Sequence, residues 1–188
     1  SRTQSQYLKE LERDGYVVIA NYWPRDKARI LKEKLEKYLK PAKSRDFPSG
    51  AYIRFWDDRK HDQGVRRLYH IDREVKELKK FRYDRFIFNI VNAYYGYPFY
   101  SGTLMFQHNT KTNFETREYH VDTFEPEFKA FLYLEDVTVG NGPFTYIRGS
   151  HKANWPRLKK QILGNGDKSP TSFFENDVKT MIQNETMI

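Results

Sequence analysis

Two residues of this chain, His120 and Asp122, are of the right types and spacing to bind one metal ion. Side chains alternate between the faces of a β-strand, so residues two apart point the same way, with Cα atoms about 6.6 Å apart. An imidazole and a carboxylate suit ferrous iron in a site of two histidines and one carboxylate, which leaves coordination positions open. The pair therefore predicts two-thirds of such a site, and we expect the third ligand to be a histidine from a later strand.

A second triplet with the same spacing, His70-Ile71-Asp72, limits what spacing alone can establish. Short motifs of this kind also occur by chance. Asp72 lies where a helix N-cap is expected, and no strand-like run surrounds it, so we interpret His70 and Asp72 as structural residues. His120 and Asp122 lie in a segment of alternating pattern, which strengthens the case for metal binding, while the alternative of a surface histidine beside a helix-capping aspartate stays open.

The elements that must position the pair change in character along the chain. Residues 1–99 are predicted to be mostly helical, and residues 41–67 are predicted to be an irregular loop. The helices are expected at Tyr7–Arg13, between Pro24 and Pro41, and at about Arg73–Tyr95, with one short strand at Tyr16–Ile19.

From Tyr100 onward the hydrophobic period is two, which is typical of strands. The predicted strands are Thr103–Asn109, Arg117–Asp122, Lys129–Leu134 and Pro143–Arg148. Short strands with turn-rich connections indicate an antiparallel sandwich or barrel over residues 100–152. Residues 153–188 are expected to be helical (Trp155 to Leu163) and then irregular. We therefore predict one α+β domain over residues 1–188, with the N-terminal helices packed on the sheet.

Several segments, in this order, resemble the phytanoyl-CoA dioxygenase family. They are Gly15–Ile19 with the helix that follows, Glu118–Asp122, Phe131–Val137, Asn141-Gly142-Pro143 and Arg148-Gly149-Ser150-His151. The resemblance covers most of residues 10–152 and implies a double-stranded β-helix, a cupin-like jelly roll. It also implies an oxygenase that depends on Fe(II), 2-oxoglutarate and oxygen (O2) and that hydroxylates a small molecule.

Other site residues follow from this interpretation. Thr103, Met105 and Gln107 share one face of a predicted strand, and Thr103 or Gln107 could hydrogen-bond a keto acid. Phe131 could form a wall of that pocket, although each of these could equally be an ordinary sheet residue. The 41–67 segment is expected to help select the substrate. The candidates for substrate contact there are Arg54, Trp56, Arg66 and Arg67.

The chain departs from the family pattern near its C-terminal end. No histidine follows His151, which we interpret as a turn histidine or an outer partner of the site and not as an iron ligand. No arginine follows Arg157 to pair with the far carboxylate of 2-oxoglutarate. Arg148 stands where the family usually has Pro. We expect closing strands of the jelly roll to be missing, and three explanations are open. The protein continues beyond Ile188, it is a metal-free relative that kept the scaffold, or a partner chain supplies the strands. With two protein ligands, the 188-residue chain alone is expected to bind iron weakly and to turn over 2-oxoglutarate slowly or not at all.

The composition of the chain limits the classes of function that remain. The chain has 33 Lys and Arg against 25 Asp and Glu, a formal charge of +8, and no cysteine, which excludes disulfides and thiolate sites. The scattered basic residues make a nucleic-acid-binding domain the weaker alternative, and they equally fit an anionic small-molecule substrate. A catalytically inactive, cupin-like binding module is the other alternative, in which the aromatic-rich Tyr52–Trp56 region and the basic surface hold a ligand or partner. No apolar run reaches the roughly 18 residues of a membrane span, so a soluble, cytoplasmic protein is expected, with its oligomeric state open.

Overall fold

The chain has an α+β architecture with a small antiparallel sheet. The computed structural model describes residues 2–40, 43–55, 64–109, 119–123, 125–138, 140, 143–152, 162, 173 and 178–179. The chain divides into two compact units, which are described separately. The terminal unit comprises Ser1–Val18, Arg117–Lys129 and Phe144–Ile188, and the sheet unit comprises Ile19–Thr116 and Ala130–Pro143.

Helix α1, Gln4–Asp14, belongs to the terminal unit and has defined contacts at both ends. Thr3 and Gln6 form a capping box at its start. Gly15 ends it in the left-handed conformation, with φ 83°, and donates its N–H to the carbonyl of Leu11 at 2.8 Å. The predicted helix Tyr7–Arg13 is confirmed and is longer at both ends.

Helix α2, Arg25–Leu39, follows the sequence prediction closely. Pro24 precedes its first turn, a position that suits proline because the N–H it lacks has no partner there. The buried side chains recur at helical spacing and are Ala28, Leu31, Leu35 and Leu39. Tyr38, next to Leu39 in the same turn, is only partly buried. One face of α2 is therefore apolar and available to cover a sheet.

The predicted helical region at about Arg73–Tyr95 is broken into pieces. Its components are the 3₁₀ turns Ile71–Arg73 and Lys76–Leu78 and the helices α3, Lys79–Arg82, and α4, Arg85–Tyr95. Val75 interrupts the first part with φ −112° and ψ 88°, which is not helical, and its side chain is fully buried. Asp84 starts α4 by accepting hydrogen bonds from the N–H groups of Phe86 and Ile87.

Four antiparallel strands form the sheet in the order β1-β2-β3-β4. The strands are β1, Arg45–Asp46; β2, Tyr52–Phe55; β3, Val65–Tyr69; and β4, Met105–Asn109. The prediction of an irregular loop over residues 41–67 is therefore wrong. Ile53 and Leu68 are directly paired and have no exposed surface, which explains why this charged segment forms strands.

The core of the sheet unit lies between the sheet and α2. Ile53 and Leu68 pack there against apolar residues from α2 and from the turns after β3. These residues are Leu31, Leu35, Leu39, Ile71, Val75 and Leu78. Because side chains alternate along each strand, the neighbours of Ile53 and Leu68 project from the opposite face of the sheet.

Several predicted strands are absent from the described part of the chain. Tyr16–Ile19, Lys129–Leu134 and Pro143–Arg148 have no regular structure, and residues 119–123 contain only an isolated β-bridge at His120. Strands need partners for their backbone groups, and no ladder of described residues supplies them. Most of Trp155–Leu163 and of residues 173–188 lies outside the described residues. None of the described helices is long and apolar enough to cross a membrane.

Candidate functional site

The two predicted metal ligands lie side by side in the terminal unit. Nε2 of His120 is 3.4 Å from Oδ1 of Asp122. Two donors bound at about 2.1 Å to one ion, at an angle of roughly 90–110°, are about 3.0–3.4 Å apart. Both side chains are 49% exposed, so a small ion and its other ligands can reach them. The distance and the exposure both fit a shared ion.

Alternation along the segment explains why this pair faces outward. Tyr119 and Val121 pack against the buried Phe173 and Val178. The N–H of Phe173 also donates to the carbonyl of Tyr119 at 2.8 Å. With the odd-numbered residues directed into this small apolar cluster, His120 and Asp122 project from the other side.

Lys129 completes the immediate surroundings of Asp122 and was not identified from the sequence. Its ammonium contacts Oδ2 of Asp122, the carboxylate oxygen that does not face His120. Partial burial raises the pKa of Asp122, but the hydrogen bond and charge of Lys129, together with His120, outweigh it and lower the pKa. Asp122 is therefore ionised at neutral pH, as a metal ligand must be. The lysine also competes with any cation for that oxygen.

The pair does not make a complete metal centre by itself. Among the described residues, no group of three or more His, Asp or Glu side chains could hold a metal ion. A centre at His120 and Asp122 therefore needs a ligand from outside this described set. The donor types, an imidazole and a carboxylate, are among those that suit ferrous iron.

The segment Arg148–His151 is anchored to the end of α1. Arg148 donates from Nε to Oδ1 of the buried Asp14 at 2.6 Å, and the N–H of Gly149 donates to the carbonyl of Asp14 at 2.8 Å. Nε2 of His151 lies 3.2 Å from the carbonyl oxygen of Glu12. Arg148, which stands where the family usually has Pro, thus pairs with a buried carboxylate, and His151 lies in the turn where it was expected.

Four of the other predicted site residues share one face of the sheet, the face turned away from α2. Arg54, Arg67 and Gln107 are consecutive cross-strand partners and form one row. Met105 lies in the next row, opposite Tyr69, which pairs in turn with Tyr52. Tyr52 lies in the aromatic-rich Tyr52–Trp56 region that the sequence already indicated for ligand contact, whereas Tyr69 was not identified, because its segment was not predicted to form a strand.

Hydrogen bonds hold the polar row in place. Nε of Arg67 donates to Oε1 of Gln107 at 2.9 Å, and Nε2 of Gln107 donates to Oδ1 of Asn109 at 2.9 Å. Nη1 of Arg54 donates to Oδ1 of Asp46 at 2.8 Å. Two arginines directly opposite each other repel, and these contacts offset part of that repulsion.

The aromatic row beside it adds a flat, apolar component. The rings of Tyr52 and Tyr69 are stacked with centroids 4.7 Å apart, and the guanidinium of Arg54 lies 4.5 Å from the centroid of Tyr52. Guanidinium groups bind carboxylates and phosphates, while aromatic rings contact the apolar part of a ligand. This face has the chemistry to bind an anionic organic molecule.

The remaining predicted residues lie elsewhere. Arg66 is on the opposite face of the sheet, the face covered by α2, so its grouping with Arg54 and Arg67 is wrong. Thr103 precedes β4 and is exposed. Phe131 belongs to the sheet unit and is 54% exposed. Trp56 lies outside the described residues.

Comparison of the chain with models of protein families, with curated proteins and with solved structures gives no match in any of the three. The resemblance to the phytanoyl-CoA dioxygenase family therefore rests on the motifs in the sequence, and the function must be argued from the residues themselves.

Proposed function

We propose that the chain supplies two iron ligands of an Fe(II)- and 2-oxoglutarate-dependent oxygenase with a jelly-roll fold. The observation that carries this proposal is the 3.4 Å separation of His120 Nε2 and Asp122 Oδ1, in a triplet whose flanking segments follow the family order. The substrate is a small molecule with an anionic group.

In this proposal His120 and Asp122 hold the iron through Nε2 and Oδ1. When bound, the iron supplies the redox chemistry that couples breakdown of 2-oxoglutarate with oxygen to hydroxylation of the substrate. Lys129 keeps Asp122 ionised through its contact with Oδ2, and its charge competes with that of the ion for the carboxylate. The half-exposed position of the pair leaves room for the remaining ligands.

The open face of the sheet unit is proposed separately, as a surface that binds an anionic organic molecule independently of the iron ligands. Arg54 and Arg67 attract the anionic group, and their hydrogen bonds orient the two guanidinium groups. Gln107, which accepts a hydrogen bond from Arg67, extends this surface with an amide, and Met105 lies in the adjacent row. Tyr52 and Tyr69 contact the apolar portion of the bound molecule.

Anaerobic equilibrium dialysis with Fe(II), with and without 2-oxoglutarate, tests this proposal. We expect weak binding by the 188-residue chain that 2-oxoglutarate tightens, because the keto acid adds its own ligands. His120→Ala and Asp122→Ala should each weaken binding about tenfold or more, as loss of one of few ligands does. His70→Ala, in the triplet of the same spacing, is the matched control and should not change it. Equal binding by all four proteins would overturn the proposal.

A metal-free binding module is the second candidate, and Lys129 is the observation that favours it. An ammonium on the carboxylate of Asp122 already neutralises the charge that a metal would use. The same dialysis separates the two functions. Absence of site-specific iron binding, with anion binding retained on the sheet, would favour the module.

A further inference from the structure

A second pair of side chains, Arg66 and His108, lies on the helix-facing side of the sheet. The two residues are direct cross-strand partners on β3 and β4. They share this side with Leu68 and Phe106, which pack in the core of the sheet unit. Directly paired residues have Cβ atoms about 4.5–5.5 Å apart, so the two side chains flank one place.

Both side chains carry a buried nitrogen that has no hydrogen-bond partner. These atoms are Nε of Arg66 and Nδ1 of His108, each covered from solvent. The guanidinium of Arg66 lies 5.1 Å from the ring centroid of Phe55, which limits its movement. Buried polar groups in native proteins are almost always hydrogen-bonded, so two such atoms on neighbouring strands call for an explanation.

No carboxylate on the same side of the described strands can serve as the counterion. The strand residues that share this side are Arg45, Ile53, Phe55, Arg66, Leu68, Phe106 and His108. Asp46, the only acidic residue in the described strands, lies on the other side, opposite Tyr52. Both residues are partly buried, and their covered nitrogens are polar atoms left without a partner, which an anionic ligand would satisfy.

We propose that Arg66 and His108 form a binding site for a small anion, a carboxylate or a phosphate group. Arg66 donates from its guanidinium, and His108 donates from Nδ1 in the tautomer that carries the proton there. An oxyanion has enough acceptor positions to take both hydrogen bonds. This site is separate in residues from His120 and Asp122 and from the row of Arg54, Arg67 and Gln107, so it does not depend on the oxygenase proposal.

The test is an NMR titration of the histidine side chains in the full 188-residue chain. Inorganic phosphate and acetate are added in separate experiments at constant ionic strength, which is kept with potassium chloride. We expect a saturable shift of the His108 ring signals, and the arm with the lower dissociation constant identifies the preferred anion. Arg66→Gln should weaken binding at least tenfold, and Arg66→Lys should weaken it less, because the charge is kept.

The matched control is Arg85→Gln, which removes an exposed arginine at the start of α4 and should leave the His108 shift unchanged. A thermal melt of each variant shows that it is folded. The site is refuted if phosphate and acetate both give no saturable shift of His108. It is also refuted if Arg85→Gln and Arg66→Gln weaken binding equally, which would indicate general attraction by the basic surface. Fe(II) dialysis of Arg66→Gln should match the wild type, so failure here is distinguishable from failure of the iron site.

Discussion

The two triplets His70-Ile71-Asp72 and His120-Val121-Asp122 have the same spacing but very different surroundings. In the first, Asp72 is 2% exposed and accepts a hydrogen bond from Nη1 of Arg82 at 2.8 Å. In the second, both side chains are half exposed and the two donors face each other. The first triplet is built into the core, and the second is open to a ligand.

Backbone conformation causes this difference. His70 has φ 53°, in the left-handed region, and a 3₁₀ turn follows it at Ile71–Arg73. Residues two apart on such a turn do not share a face, whereas the outward pair of the second triplet follows strand-like alternation. The predicted N-cap role of Asp72 is wrong, because His70 holds that position and makes no capping bond. Asp72 is structural through Arg82 instead.

The largest expected effect is a loss of stability when the ion pair of the first triplet is broken. Arg82→Met leaves the buried carboxylate of Asp72 without its charge partner, which should lower the free energy of unfolding by about 3 kcal/mol or more. Lys129→Met is the matched control. Its partner Asp122 is half exposed, so the loss should stay below about 1 kcal/mol. Urea denaturation measures both, and a larger loss for Lys129→Met would contradict the comparison.

The next effect separates the triplets by metal affinity. Asp122→Asn removes the anionic donor beside His120 and should weaken Fe(II) binding about tenfold or more. Asp72→Asn should leave binding unchanged while reducing stability, since Asp72 is covered by its own unit. Anaerobic isothermal titration of both variants gives the affinities. Loss of Fe(II) affinity only in Asp72→Asn would place the ion at His70-Ile71-Asp72 and contradict the assignment to His120 and Asp122.

A smaller effect is expected when the competing cation is removed. Burial raises the pKa of Asp122, whereas the hydrogen bond and charge of Lys129 lower it. Lys129→Met should therefore raise this pKa. It should also raise Fe(II) affinity by roughly two- to fivefold, within the range for an exposed ion pair. Carboxyl NMR titration follows the pKa. A fall in Fe(II) affinity would mean that Lys129 supports the ion and does not compete with it.

The smallest effect concerns acid stability. The pKa of Asp122 is lowered in the folded protein, so its ion pair stabilises the fold above the unfolded pKa of aspartate, about 3.9. That contribution is lost as the pH falls through the lower folded value. Wild type should therefore lose slightly more stability than Lys129→Met as the pH falls through this acidic range. Denaturant unfolding at a series of acidic pH values measures the difference, and identical curves would show that the pair contributes nothing.

The sequence predicted elements that carry strong local signals. Helix α1 has Gly15 at its end, and α2 has its apolar stripe between Pro24 and Pro41, so both follow from nearby residues. Strands β2 and β3 were missed because each contributes a single fully buried residue, Ile53 and Leu68, among charged and aromatic neighbours. Their pairing depends on contacts that local patterns do not contain.

In the candidate sites, too, only residues that are close together in the sequence could be predicted to lie together. The His120–Asp122 pair was predictable because both members are local in sequence and strand periodicity relates them. The other two groups depend on the register between strands, and β3 and β4 are about 40 residues apart in sequence. These groups are the row of Arg54, Arg67 and Gln107 and the pair of Arg66 and His108. Without that register, Arg66 and Arg67 are equivalent neighbours, although they project from opposite faces of the sheet.

The most direct test of the account locates a bound ion at one of the two triplets. Mn(II), a paramagnetic substitute for Fe(II), is titrated anaerobically into the chain while NMR follows the ring signals of each histidine, assigned by single His→Gln variants. The account predicts that the signals of His120 broaden first and that those of His70 stay sharp. Broadening of His70 before His120, or equal broadening of all histidines, would contradict it.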